Sequence, residues 1–226
     1  MVHKTLMTEA NVEIKCRPVL LELFSGTGSI GRAFRARGWE VFSVDINAAT
    51  NPTLVANVLD LHLHRLPPRV DCIWASPPCT HYSRARTKAK TPRDLEGSDA
   101  IVQKVLDILD FYITCSWYME NPHSGLLKGR EVVAGIPFQV VDYCKYGKPY
   151  RKRTAIWTNT YWKPQQPLCK HDCSASSGSR HTSSAQQGLA SRADVRYSRD
   201  ELYTIPPALC DEIADHATSR YHRGLT

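Results

Sequence analysis

Apolar runs in the first half of the chain end repeatedly in clusters of polar, glycine or proline residues. Residues 19–24 lead into Ser25-Gly26-Thr27-Gly28, residues 39–44 into Asp45, residues 70–75 into Ser76-Pro77-Pro78, and residues 117–119 into Glu120-Asn121-Pro122. Short apolar runs bounded in this way predict buried strands. Between them the period lengthens: Ile30, Ala33 and Phe34 recur at helical spacing until Gly38, and Ile101, Val105, Ile108 and Tyr112 share one helical face. Alternating strands and helices predict an α/β fold built on a doubly wound, mostly parallel sheet. Two more strands are predicted at residues 138–143 and 153–158, and an amphipathic helix at residues 207–216 follows Pro206.

In such sheets ligands bind beyond the carboxyl ends of the strands, where each of these unusual clusters falls. The Pro, Gln, Ser and Gly content of residues 163–188 breaks the α/β rhythm and reads as a small insert. The expected division is a main domain of residues 1–158 and 197–226, interrupted by an insert at 159–196.

Composition narrows the class. With 226 residues, 42% of them hydrophobic, the chain can bury a sizeable core and is neither disordered nor collagen-like. It has no apolar run of the ~20 residues that span a bilayer and no apolar signal core at its start, so an intracellular protein of cytoplasm or nucleus is expected. The eight cysteines are scattered, which in a reducing compartment points to buried thiols, a nucleophile or metal ligands. The net charge of +7 permits a nucleic-acid partner without requiring one.

The motifs sharpen that picture. Gly26, Gly28 and Gly31 lie at a strand-to-helix turn, where missing side chains let a nucleotide-like ligand approach the backbone. Asp45, at the end of the next strand, can accept hydrogen bonds from a ribose diol, and the pair fits an adenosine cofactor. Asp60-Leu61 is a second candidate for the adenine side, against the bland reading of a solvated loop acid. Two prolines hold Cys79 just past a strand, a placement suited to a nucleophile. Arg84, Arg86, Lys88, Lys90 and Arg93 follow with no acid before Asp94, as in a mobile loop that closes over a phosphate backbone. Glu120 ends the neighbouring strand, from which a carboxylate can reach the same substrate as Cys79.

The order Phe24-Ser25-Gly26-Thr27-Gly28, Asp45, Pro78-Cys79, Glu120-Asn121 and Arg151-Lys152-Arg153 resembles the DNA cytosine carbon-5 methyltransferase family over most of the chain. The resemblance implies a methyltransferase-type fold that binds S-adenosylmethionine against Phe24, Ser25, Gly26, Thr27, Gly28, Asp45, Ile46, Asp60, Leu61 and Pro77. It also implies that Cys79 attacks carbon 6 of a cytosine flipped out of DNA, probed by Glu120 at the ring nitrogen and amine and supported by Arg151 and Arg153. Ser83, Arg84, Arg86, Lys88 and Lys90 would then face DNA, with Lys148 and Lys152 opposite them. Tyr197-Ser198-Arg199-Asp200-Glu201-Leu202 and the last helix look like degraded forms of the family's final motifs.

The sequence departs from the family at Thr80, at Pro122 in place of Val, and at Pro149, where a Gln is usual. The insert stands where the family carries a larger recognition domain, as in compact phage-like or virus-like members. Within it, Cys169, Cys173 and His181, joined by Cys144, have the donors for a structural zinc site, against free polar-loop residues as the alternative. Three other functions fit the motifs: an amino-methyltransferase reading of Ser76-Pro77-Pro78, an RNA cytosine methyltransferase, and a non-catalytic DNA-binding module that retains the fold.

Overall fold

The computed structural model describes residues 17–86, 89–185 and 197–224. Seven strands form one sheet in the order β3-β2-β1-β4-β5-β7-β6. These are β1 (Val19–Leu23), β2 (Glu40–Asp45), β3 (Leu54–Val55), β4 (Cys72–Ala75), β5 (Ser116–Pro122), β6 (Phe138–Asp142) and β7 (Arg153–Thr158). Strands β1 to β5 run parallel, whereas β7 pairs antiparallel with both β5 and β6. The doubly wound, mostly parallel sheet predicted from the apolar rhythm is therefore present. Because β7 is reversed, it begins, at Arg153, on the edge where the parallel strands finish, so Arg153 stands opposite Asp142.

Helices cover both faces. Helix α1 (Ser29–Arg35) and the last helix, α4 (Pro207–His222), bury Ile30, Phe34, Leu209 and Ile213 against Leu20, Trp74 and Ile156 on one side. On the other, α2 (Leu95–Phe111) buries Val102, Val105, Ile108 and Leu109 against Leu21, Leu23, Ile73 and Met119. Asp94 caps α2 by accepting a hydrogen bond from the Gly97 amide at 2.8 Å, worth about 1 kcal/mol.

The boundaries differ from the sequence reading where packing outruns periodicity. Strand β5 continues through Pro122, so Glu120 and Asn121 lie within it and not after it. Helix α4 runs to His222, because Ala217 is buried and Tyr221 packs on the same core. Short helix α3 (Arg199–Tyr203), held by a reciprocal Ser198–Glu201 capping box, and the hairpin β8 (Ser176–Ser177) and β9 (Arg180–His181) were not predicted. Among the described residues, no helix is long and apolar enough to cross a membrane.

Order β2-β1-β4 puts the switch point of the sheet at the end of β1, directly under the glycine turn. There Glu22, buried in β1, accepts the Gly31 amide of α1 at 3.1 Å, and a Cβ on Gly31 would lie 2.5 Å from the other Glu22 oxygen. Glycine is what lets α1 sit this close. Burial pushes the Glu22 carboxyl up from 4.5 to about 7, although the Gly31 amide and nearby arginines pull against it. The folded chain thus binds this proton more tightly than the unfolded one. Its contribution to stability is full below about pH 4.5 and is lost as the pH rises toward 7, on the order of 3 kcal/mol. Thermal unfolding of the Glu22→Gln variant should show a flatter stability profile across that window than the parent; equal slopes would refute the coupling.

Candidate active site

The loop that carries Cys79 is braced at each step after β4. Trp74 Nε1 donates to Ser76 Oγ at 2.8 Å, the Ser76 amide donates to the Leu23 carbonyl, and Asn121 Nδ2 donates to the Pro77 carbonyl at 2.9 Å. Asn121 is fully buried, so the strand that supplies Glu120 also fixes the cysteine loop. Cys79, half-buried, opens onto a cavity of about 430 Å³ whose lining includes Ser83, Pro122, His123, Arg151, Lys152, Arg153, Ser184, Ala185 and Leu202. Burial raises the Cys79 pKa, Glu120 raises it further, and Lys152 lowers it. Cys79 therefore rests as a thiol, with Glu120 and Lys152 in electrostatic reach.

Glu120 is held from two sides. Tyr143 donates its hydroxyl to Glu120 Oε1 at 3.0 Å, and Lys152 Nζ lies 4.0 Å from the same oxygen. Burial and the adjacent carboxylate push the Tyr143 hydroxyl far above its ordinary value, so it acts as a donor. Lys152 also donates to the Leu202 carbonyl at 3.0 Å and stands 4.8 Å over the Tyr143 ring. Lys152, expected from the sequence to face DNA, lies in the cavity wall beside Glu120.

The two arginines have different surroundings. Arg153 grips Asp142 with two bonds, at 2.8 and 2.7 Å. Burial works against the Asp142 carboxylate, but Arg153 and the Cys169 amide outweigh it and lower its pKa. Arg151 is exposed, and its backbone pairs with the insert: its amide donates to the Ser183 carbonyl and its carbonyl accepts from the Ala185 amide.

The basic loop after Cys79 is tied to itself. Arg86 donates to the Thr91 and Pro92 carbonyls, Arg93 to the carbonyls of His81 and Ser83, and the His81 ring accepts the Asp94 amide. Beneath it Tyr82 is fully buried and donates to Asp99, itself paired with Arg130. Arg84 and Lys90 are exposed, and Lys88 lies outside the described residues. Lys148 is half-buried over the Tyr150 ring.

At the other end of the sheet edge, Phe24, Gly26 and Gly28 adopt positive φ. A Cβ on Gly26 would meet only the Phe24 carbonyl, at 3.8 Å, so the space above the turn is open. Asp45 accepts the Gly26 and Asn47 amides, both at 2.8 Å, one on each oxygen, and each oxygen keeps a further acceptor site. Ile46 beside it is 69% exposed, an apolar surface next to a polar acceptor. Asp60 is exposed and accepts from Asn57, whereas Leu61 is packed in the core.

Just past the end of β6, Cys144, Cys169, Cys173 and His181 bring their donor atoms within 4.8 Å of one another. Among the described residues all cysteines are free.

No family model matches the chain. A curated relative from Frog virus 3 (isolate Goorha), named a probable DNA (cytosine-5)-methyltransferase, is 32% identical over 215 residues, covering 87% of this chain and 98% of the relative. The chain belongs to the DNA (cytosine-5)-methyltransferase family. Among solved structures it is similar to a triple mutant of Spodoptera frugiperda DNMT2, with 20% identity and a TM-score of 0.45. A second is the Entamoeba histolytica methyltransferase EhMeth, with 18% identity and a TM-score of 0.49. The chain covers 53% and 59% of those two proteins, which cover 66% and 70% of it.

For a cytosine-5 methyltransferase of this size, the sequence reading passed over several residues in or behind the cavity. Tyr143 and Asp142 carry no motif of their own, and Asn121 stands in the Glu120-Asn121 motif without its role as a brace being legible there. The signal for Asp142 is its place opposite Arg153, which requires knowing the hairpin register. Tyr143 and Asn121 are the partners of Glu120 and Pro77, respectively.

Proposed function

We propose that this methyltransferase transfers a methyl group from S-adenosylmethionine to carbon 5 of a cytosine in DNA, with Cys79 as the covalent nucleophile. The observation that carries the reading is the placement of Cys79 at a cavity walled by Arg151, Lys152 and Arg153, with Glu120 within electrostatic reach. Carbon 5 of cytosine is too weakly nucleophilic to take a methyl group unaided. The Cys79 thiol passes its proton by way of Glu120 to the ring nitrogen as its sulfur bonds to carbon 6; the pair of the 5,6 double bond shifts into a 4,5 double bond and the displaced pair on the nitrogen takes that proton, leaving carbon 5 an electron-rich enamine carbon. Glu120, oriented by the Tyr143 hydroxyl, holds the ring nitrogen and the amine, stabilising charge that develops at the nitrogen. After carbon 5 has been methylated, its hydrogen leaves as a proton to water, the nitrogen returns its proton to Glu120, the 5,6 double bond re-forms and the sulfur departs as a thiolate.

The cofactor would lie over the glycine turn, where the open space above Gly26, the remaining acceptor sites of Asp45 and the exposed Ile46 face suit an adenosine. When bound, it supplies a methyl group on a sulfonium, ready for displacement. A cavity of this size accepts one base removed from its stack, and exposed Arg151 in its wall and Arg84, between the lining residues Ser83 and Ala85, supply cations for the phosphate backbone. The Cys144, Cys169, Cys173 and His181 cluster offers the donors of a structural zinc ion, on which methyl transfer itself does not depend.

Incubation with isotopically labelled S-adenosylmethionine and either duplex DNA or RNA, followed by nucleoside mass spectrometry, tests it. 5-Methylcytosine from DNA is expected. Methyl groups appearing on the exocyclic amine, or on RNA alone, would replace the reading with one of its rivals.

A further inference from the structure

The Cys and His cluster offers more than proximity. His181 Nε2 lies 3.3 Å from Cys144 Sγ and 3.5 Å from Cys169 Sγ, and all four donor atoms fall within 4.8 Å. With Zn–S near 2.3 Å and Zn–N near 2.0 Å, a tetrahedral site has edges of roughly 3.5–3.8 Å. The two Sγ–Nε2 spacings therefore match edges of a ligand shell, and the remaining pairs, all within 4.8 Å, have to close by about 1 Å at most to complete it, while the sulfurs remain unbridged. His181 Nδ1 is buried with no hydrogen-bond partner among the described residues, so the polar contacts of the ring lie on the thiol side.

The ligands come from four separate points: the turn after β6, two positions in the insert, and β9. Of residues 163–185, only Ala175 and Ser183 are buried, so this segment has no apolar core of its own. A segment so poor in burial needs another source of folding free energy, which a closed metal site supplies. Three thiolates and one imidazole, with four protein ligands and no open position, favour zinc over hard cations and over a catalytic metal. Asp172 is no competitor, since Lys145 engages it at 3.0 Å.

The same segment reaches the active site. The Cys169 amide donates to Asp142, the partner of Arg153. The Cys173 carbonyl accepts the Ser176 amide at the start of the β8–β9 hairpin, and Thr182 returns a bond to Ala175. The chain then pairs with Arg151 through Ser183 and Ala185, and Ser184 and Ala185 line the Cys79 cavity.

We propose that Cys144, Cys169, Cys173 and His181 bind one Zn²⁺ tetrahedrally, and that the ion holds the insert in place as the outer wall of the Cys79 cavity. The ion site and the wall stand on the cluster and its hydrogen bonds, and only what the Cys79 cavity holds rests on the proposed function. Metal analysis of the purified full chain should give about one zinc per chain, and cobalt substitution should give the intense visible bands and thiolate charge transfer of a tetrahedral site. The Cys169→Ser/Cys173→Ser variant should lose zinc at least about tenfold, Cys115→Ser should retain it, and His181→Cys should rebind where His181→Ala does not. Chelation should raise hydrogen exchange in residues 175–185 while the sheet stays protected. Zinc-free protein with a folded sheet, or full zinc in the double variant, overturns the site. Unchanged exchange at 175–185 after zinc removal overturns the wall. Both readouts are independent of methylation, so inactivity toward DNA would count against the proposed function only.

Discussion

Replacing Cys79 by serine should reduce methyl transfer to DNA by about a thousandfold or more while leaving DNA binding within a few-fold of the parent. A hydroxyl is far less acidic than a thiol and a much poorer nucleophile toward carbon 6, so the electron-rich carbon 5 is not generated. Serine is slightly smaller and fits the half-buried position, and the braces on the loop through Ser76, Pro77 and Asn121 do not involve the sulfur. Label incorporation under single-turnover conditions measures the loss. In parallel, duplex DNA carrying 5-fluorocytosine should form a denaturation-resistant adduct with the parent and none with Cys79→Ser, because fluorine blocks the final loss of a proton from carbon 5. A serine variant that retains half its activity would place the nucleophile elsewhere.

Glu120→Gln should be the next most damaging substitution, lowering kcat by about a hundredfold to ten-thousandfold with a small change in KM. The amide oxygen can still accept the Tyr143 hydroxyl, so the strand and its core should hold. What is lost is a carboxyl group able to pair with both the ring nitrogen and the amine as charge builds on the base. Stopped substrate binding with single-turnover transfer separates the two effects. A variant weak in binding and normal in the transfer step would make Glu120 an anchor for Lys152 and Tyr143 and nothing more.

How much of this was legible along the chain depends on whether the deciding interaction is local. The strand after residue 18, the glycine turn and the Ser76-Pro77-Pro78-Cys79 loop announce themselves because an apolar run, a turn residue and a reactive side chain are neighbours in sequence. The same holds for the basic residues after Cys79 as a composition. Their use was not legible: Arg86 and Arg93 spend donors on carbonyls of their own loop, a matter of how that loop folds back. Leu61 shows the limit from the other side. It sits beside a plausible acid, yet it is 1% exposed in the core, and a motif position cannot tell a cofactor contact from a packed leucine.

The insert makes the same point with more at stake. The chain offers Cys144, Cys169, Cys173 and His181 as one donor set, but Cys144 is far from the others in sequence, and what brings it to them in space is β6, which runs parallel to β5 and delivers its terminal turn to the insert. The place of Lys152 beside Glu120 was not legible along the chain for a related reason. The reversal of β7 turns the residues before Arg153 along the cavity rather than away from it.

By itself, then, the sequence determined the elements and their alternation, the residue types available for chemistry, and the family to which the chain belongs. Those are properties of short windows, where period, turn chemistry and side-chain reactivity act within a few residues. Tertiary structure alone decided which groups meet: Asn121 with Pro77, Tyr143 and Lys152 with Glu120, Asp142 with Arg153 and Cys169. Strand order and register set those encounters, and both are fixed by burial of whole sheet faces across the chain, a global balance that no local pattern carries.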